Sequence, residues 1–205
     1  MHPDHAFRSD DRALAEALID EVGFGMVFLT TPDGPRVAHT PLLSTGDGAV
    51  QFHLSRGNAL APHLDGAMAL AVINGPDGYV SPRWYETPDN VPTWNYIALE
   101  MEGRVRRMDQ NGLAALLEDL SSLHEDRLRD RRPGEMPSWS PGDLPDARRR
   151  QLMAGIIGFE LEVLAWRPTL KLSQNKPPAE RALLADGLEA SGHPALAGLM
   201  RTLAP

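Results

Sequence analysis

A chain of 205 residues with 42% hydrophobic content is long enough to bury one well-filled core, so a single domain over residues 1–205 is expected. The formal charge of −8 argues against generic affinity for polyanions, and the lack of cysteine excludes disulfides, thiolate catalysis and Cys-based metal or iron–sulfur centres, so redox chemistry needs an imported cofactor. No apolar run approaches the length of a bilayer span, and the polar, acidic start MHPDHAFRSDD does not read as a signal peptide, so the expected location is cytoplasmic, without membrane attachment.

In chain order, residues 10–20 read as a short helix with Leu14, Leu18 and Ile19 inward and Ser9 or Asp10 as its cap. GMVFLTT and RVAHTPLL then form a hairpin through Pro32, Asp33 and Gly34, because glycine supplies the positive φ that a tight turn requires. The turn Gly46-Asp47-Gly48 introduces the strand AVQFHLS, a helical turn follows at ALAPHL, and AMALAVING reads as a central strand. Residues 75–92 contain Pro76, Pro82, Pro88 and Pro92 and read as a stiffened loop carrying Tyr79, Trp84 and Tyr85.

From Ile97 the chain alternates, with Leu99, Met101 and Val105 on one side and Glu100, Glu102, Arg104 and Arg106 on the other. The cluster Pro-Thr-Trp-Asn-Tyr leads into this strand, either as a packing plug or as one wall of a site. Asp109 caps a helix with Leu113, Leu116, Leu117 and Leu120 at helical spacing. Residues 131–146 read as irregular, 146–154 as a short helix, IIGFELEVLAW as the last strand, and about 177–205 as a helical tail. Short antiparallel strands with peripheral helices predict a mainly β, α+β fold built on a small barrel.

Several segments carry polar chemistry. Ser55, Arg56 and Asn58 surround Gly57 where a strand ends, an arrangement that suits a phosphate or an ordinary polar turn. Lys171, Ser173, Gln174 and Asn175 follow the last strand and can hydrogen-bond a heteroaromatic ring or form a surface turn. His39 and His53 lie on adjacent expected strands, as a structural pair or as ligand donors. The histidines show no metal-binding spacing, so no metal is expected, and no glycine-rich dinucleotide fingerprint is present. The runs RLRDRR at 127–132 and Arg148 to Arg150 are candidate nucleic-acid contacts, set against solvated helix faces.

Six segments together resemble the PaiB-like family, FMN-binding negative transcriptional regulators of the flavin split-barrel superfamily. They are H-T-P-L at 39–42, G-N-A-L-A-P at 57–62, Y-V-S-P-R-W-Y at 79–85, N-V-P-T-W-N-Y at 90–96, G-I-I-G-F at 155–159 and K-L-S-Q-N at 171–175. The resemblance implies a six-stranded antiparallel split barrel of Greek-key type, a homodimer, and FMN in a groove between subunits. It implies cofactor contacts from His39, His53, Ser55, Arg56, Asn58, Trp84, Trp94, Asn95, Tyr96, Lys171, Ser173 and Gln174. Two functions follow from it: a flavin-sensing regulator acting on DNA directly or through a partner, or an FMN-dependent oxidoreductase of the flavin reductase or pyridoxamine-phosphate oxidase type.

Overall fold

The computed structural model describes residues 4–87, 89–132, 134 and 139–204. Pro88 of the aromatic loop, Pro133 and residues 135–138 of the proline-rich segment, and the first three residues of the acidic start lie outside that description. The strands are β1 (Phe24–Thr31), β2 (Gly34–Pro41), β3 (Leu43–Ser44), β4 (Ala49–Ser55), β5 (Met68–Val80), β6 (Thr93–Arg107) and β7 (Ile156–Lys171). The helices are α1 (Arg12–Val22), α2 (Gln110–Arg131), α3 (Asp146–Ala154), α4 (Pro178–Ala190) and α5 (Pro194–Leu203).

The fold is the expected α+β split barrel, with one sheet in the order β2-β1-β5-β6-β7-β4-β3. It has seven strands rather than six, because Leu43 and Ser44 add a two-residue strand to the outer side of β4. Among the described residues no helix is long and apolar enough to cross a membrane. The chain divides into two compact units, one of Met1–Leu18, Val72–Glu100 and Trp166–Pro205, the other of Ile19–Ala71 and Met101–Ala165. Strands β5, β6 and β7 contribute residues to both.

The unit containing Ile19–Ala71 begins with the β1–β2 hairpin, in register from Phe24↔Pro41 to Thr31↔Gly34. Gly34 has φ 100°, the left-handed backbone that only glycine takes without steric cost. At the other end of the sheet order, Thr40 Oγ1 on β2 donates to the His53 carbonyl on β4 at 2.7 Å. That bond draws two strands together that are not neighbours in the ladder order. Val50, Phe52 and Leu54 of β4 are buried with Phe159 and Leu161 of β7, and the Phe52 and Phe159 rings stack at 5.5 Å. Asp109 caps α2 as expected, accepting from the Gly112 N–H at 2.7 Å. Leu113, Leu116 and Leu120 of that helix are buried, while Leu117 is only half-buried.

The other unit is organised around Val80, Ile97, Leu170 and Leu172, covered by Leu184, Leu188, Leu196 and Met200 of α4 and α5. The tail is therefore helical, as its sequence predicts, and its helices form one side of a core. Strand β5 continues through Pro76 to Val80, where the sequence predicts a loop. Within this unit β5 is outermost of the three strands, and an edge tolerates a residue with no N–H to give. Strand β7 likewise passes Pro168 and ends at Lys171, five residues beyond the expected end at Trp166. The α1 cap is Asp11, whose Oδ1 accepts from the Leu14 N–H at 3.1 Å, rather than Ser9 or Asp10.

Gly103 of β6 passes so close to β7 that a Cβ there would fall on the carbonyl of Glu162. Because backbone rather than a flexible side chain blocks the space, Gly103→Ala should destabilise the chain by about 3 kcal/mol. Urea unfolding should show a lower midpoint at unchanged slope; a midpoint within error of the parent would contradict this packing.

Candidate functional site

Strand alternation divides the Trp-Asn-Tyr cluster. Asn95 points the same way as Ile97 and Leu99 and is 0% exposed, whereas Trp94 on the opposite face is 53% exposed and Tyr96 half-buried. The Trp94 ring meets Tyr79 edge-on at 6.1 Å. Asn95 is instead a core residue with an amide to satisfy. Its Nδ2 donates to Ser173 Oγ at 2.9 Å and lies 3.4 Å from Met200 Sδ, and its Oδ1 lies 3.2 Å from the same hydroxyl.

Ser173 holds its hydroxyl there from a left-handed backbone, φ 62°, unusual for a side chain other than glycine, asparagine or aspartate. Gln174 fixes this turn: its Oε1 accepts from the Leu172 N–H at 2.8 Å and its Nε2 donates to the Leu170 carbonyl. The Gln174 amide is thus occupied by backbone. Lys171 Nζ donates to Thr93 Oγ1, and burial lowers the lysine pKa from its ordinary value.

These residues border a cavity of about 350 Å³ whose lining includes Asn90, Thr93, Asn95, Lys171, Ser173 and Lys176. The two most specific motifs, distant in sequence, thus contribute to one cavity. Trp84 does not line it; this ring packs against Gly187 of α4, where a Cβ would have no room. Sequence reasoning missed Lys176 and Asn90, which bond to each other at 2.6 Å. The available signal was position: Asn90 opens one motif and Lys176 directly follows the other.

In the unit containing Ile19–Ala71, the strand-end segment is a tightly bonded turn. Ser55 Oγ accepts from the Gly57 N–H at 3.3 Å and Asn58 Oδ1 from the Leu60 N–H at 2.9 Å. Arg56 Nε donates to the Ala154 carbonyl at 2.6 Å, which fixes the guanidinium at the end of α3. Arg56 lines a cavity of about 630 Å³ together with Arg149, Arg150, Gln110 and Asn111, and Glu118 is the lone carboxylate residue of that lining. Arg149 also pairs with Asp146 at 2.7 Å. Arg149 and Arg150 are placed by sequence alone in a basic run; their role here emerges because the Arg56 N–H bonds the Gly155 carbonyl, bringing α3 beside the strand end.

The strands of His39 and His53 do meet, but through the Thr40 hydroxyl. His39 is exposed, while His53 is half-buried with an Nδ1 that finds no partner among the described residues. Burial lowers the His53 pKa, favouring the neutral ring.

The Asn95–Ser173 bond generates a direct expectation. Ser173→Ala leaves the Asn95 amide buried without its hydroxyl partner and should cost about 1–3 kcal/mol. Pairing it with Asn95→Leu should cost less than the sum of the two single changes, because no buried donor is then orphaned. Strict additivity in denaturant melts would show that the pair does not interact.

Against this geometry, the family model described as "Putative FMN-binding domain" matches residues 1–165. Protease synthase and sporulation protein PAI 2 of Bacillus subtilis is 29% identical over 180 residues, covering 86% of this chain and 83% of that protein. Among solved structures, the FAD and heme binding protein from Mycobacterium smegmatis superposes with a TM-score of 0.62 at 17% identity, covering 90% of this chain and 80% of its own. The flavocytochrome Anf3 from Azotobacter vinelandii gives 0.63 at 16% identity, covering 83% and 72%. These two likenesses bear on fold alone. The chain belongs to the FMN-binding domain family whose model it matches, and its cofactor is FMN.

Proposed function

We propose that the chain holds the FMN phosphate at the cavity formed by Arg56, Arg149 and Arg150 and acts as a flavin-dependent regulator of the PaiB-like type. The carrying observation is that these three arginines line one cavity whose lone carboxylate residue is Glu118. A phosphate monoester near neutral pH carries about −1.5 to −2 charge, and guanidinium forks are suited to its oxygens. The donor set therefore fits the cofactor. In the same unit, the His53 Nδ1, without a partner among the described residues, can accept from or donate to a bound ligand according to its tautomer. In the other unit, Trp94 supplies an exposed aromatic surface. When bound, FMN supplies hydride and electron chemistry; the chain's own residues hold its phosphate.

Regulation through a partner suits the charge distribution better than direct DNA binding. Arg127 donates to the Glu21 carbonyl and Arg129 pairs with Asp126, within a chain of charge −8. Counterion release from DNA needs arginines presented to phosphates, and these are already engaged. The second reading, an FMN-dependent oxidoreductase, is favoured by the separate cavity at Lys171, which has room for a small substrate. Steady NADPH oxidation by the FMN-loaded chain would select it over the regulator.

A homodimer is part of the proposal. Phe24, Phe28, Val37 and Met68 are exposed on the neighbouring strands β1, β2 and β5, with Phe28 paired to Val37 across the hairpin. Arg36 and Glu102 border the same surface and give a two-fold copy complementary charges.

Two measurements test these points. Arg56→Ala and Arg150→Ala should each weaken FMN by roughly 1.5–3 kcal/mol while leaving riboflavin, which lacks the phosphate, almost unchanged. An unaltered preference for FMN over riboflavin in both folded variants would place the phosphate elsewhere. Sedimentation at micromolar concentration should give a dimer that Phe28→Glu converts to monomer; a monomeric parent would reject the proposed interface.

A further inference from the structure

The cavity at Lys171 and Lys176 has a chemistry of its own. Lys171 gives one N–H to Thr93 Oγ1, and Lys176 gives one to Asn90 Oδ1 while standing 5.0 Å from the Tyr85 ring centroid. Both hydrogen-bond partners are neutral, and among the described residues neither ammonium is ion-paired with a carboxylate. An ammonium has three donors, so each lysine retains two for a ligand. Of the uncharged donors nearby, Gln174 is spent on its own backbone and Ser173 on Asn95, while the Asn175 amide also borders the cavity.

At Lys171 and Lys176 the cavity still offers ammonium donors beside apolar surface. Asp4 and Asp89 also border it; an Asp4 oxygen already accepts from the Ala6 N–H at 3.0 Å. Glu180 is buried and lies 3.4 Å from the Thr87 hydroxyl. Phe7 and Val91 supply apolar lining, as does the Tyr85 ring.

We propose that this cavity binds a small organic oxyanion, a carboxylate or phosphate ester with an apolar body, held at its charged end by Lys171 and Lys176 and along its body by Tyr85 and Val91. The volume of about 350 Å³ is at the lower end of the range for small-ligand sites, large enough for a single-ring compound. A bound oxyanion would also favour the charged form of Lys171, whose pKa burial alone now lowers. The site lies within one unit and does not depend on the phosphate seat proposed at Arg56.

The test is calorimetric titration of the FMN-loaded full chain with phenyl phosphate, benzoate and inorganic phosphate. Phenyl phosphate or benzoate should bind more tightly than inorganic phosphate, and the stronger of the two identifies the head group. Lys171→Gln and Lys176→Gln should each weaken that ligand about tenfold or more, as expected for loss of a charge-assisted contact. Lys171→Arg should restore part of the loss. Above pH 9, binding to the parent should take up protons, measured in two buffers of different ionisation enthalpy, and Lys171→Gln should reduce that uptake. If Lys171→Gln fails to fold, Lys176→Gln carries the test. The proposal is overturned if none of the three probes binds at millimolar concentration, or if both glutamine variants bind like the parent. It is equally overturned if the probes bind only FMN-free protein and Lys171→Gln erases the preference for FMN over riboflavin. That result would make the cavity the cofactor's own phosphate seat and would also remove the Arg56 assignment; loss of the Arg56 assignment alone leaves this site standing.

Discussion

A buried amide must find partners inside the protein, and Asn95 meets that requirement with the hydroxyl of Ser173. Much of the unit built on α4 and α5 follows from this bond. The hydroxyl reaches Asn95 from a left-handed residue, a conformation that costs roughly 1–2 kcal/mol for an L-residue. Gln174 holds the turn by bonding back to the backbone of Leu170 and Leu172, which precede it. The same turn places Lys171 and Lys176 beside the start of β6, and Met200 of α5 closes over the Asn95 amide. One polar pair therefore fixes a turn, a helix contact and the border of a cavity.

Electrostatics work differently in the two units. The Arg56 cavity concentrates guanidinium groups, although one of them is shared with Asp146 and another is held by the carbonyl of Ala154. Such anchoring limits the rotamer entropy lost when an anion binds, since a pre-positioned fork has less freedom to give up. The Lys171 cavity holds ammonium groups with neutral partners and partial burial, which favours an incoming negative charge without requiring an ion pair to break. In a chain of net charge −8, these are local features that a global charge count does not reveal.

Close backbone approach is the other recurrent constraint. Gly103 lets β6 lie against β7 at Glu162, and Gly158 leaves space taken by Met108 and Leu113, which seats the beginning of α2. Gly187 of α4 receives the Trp84 ring. An aromatic of the 79–85 motif therefore packs on a helix, against a residue with no side chain to block it.

The sequence by itself determined the antiparallel α+β character, the first hairpin, the cap of α2, the helical tail and family membership. Each rests on local pattern: period-two alternation, turn glycines, an acidic residue before a leucine stripe, or contiguous motif text. It also singled out Asn95, Lys171, Ser173 and Arg56 by residue type. Tertiary structure decided what those residues face. Strand extension past Pro76 and Pro168 depends on position within the sheet, which single-sequence propensity does not contain. The split of Trp94 from Asn95 required knowing that β6 begins at Thr93, and Arg149 and Arg150 joined Arg56 only when α3 met the end of β4. Those pairings span tens of residues along the chain, and the packing that creates them is recorded in no single segment.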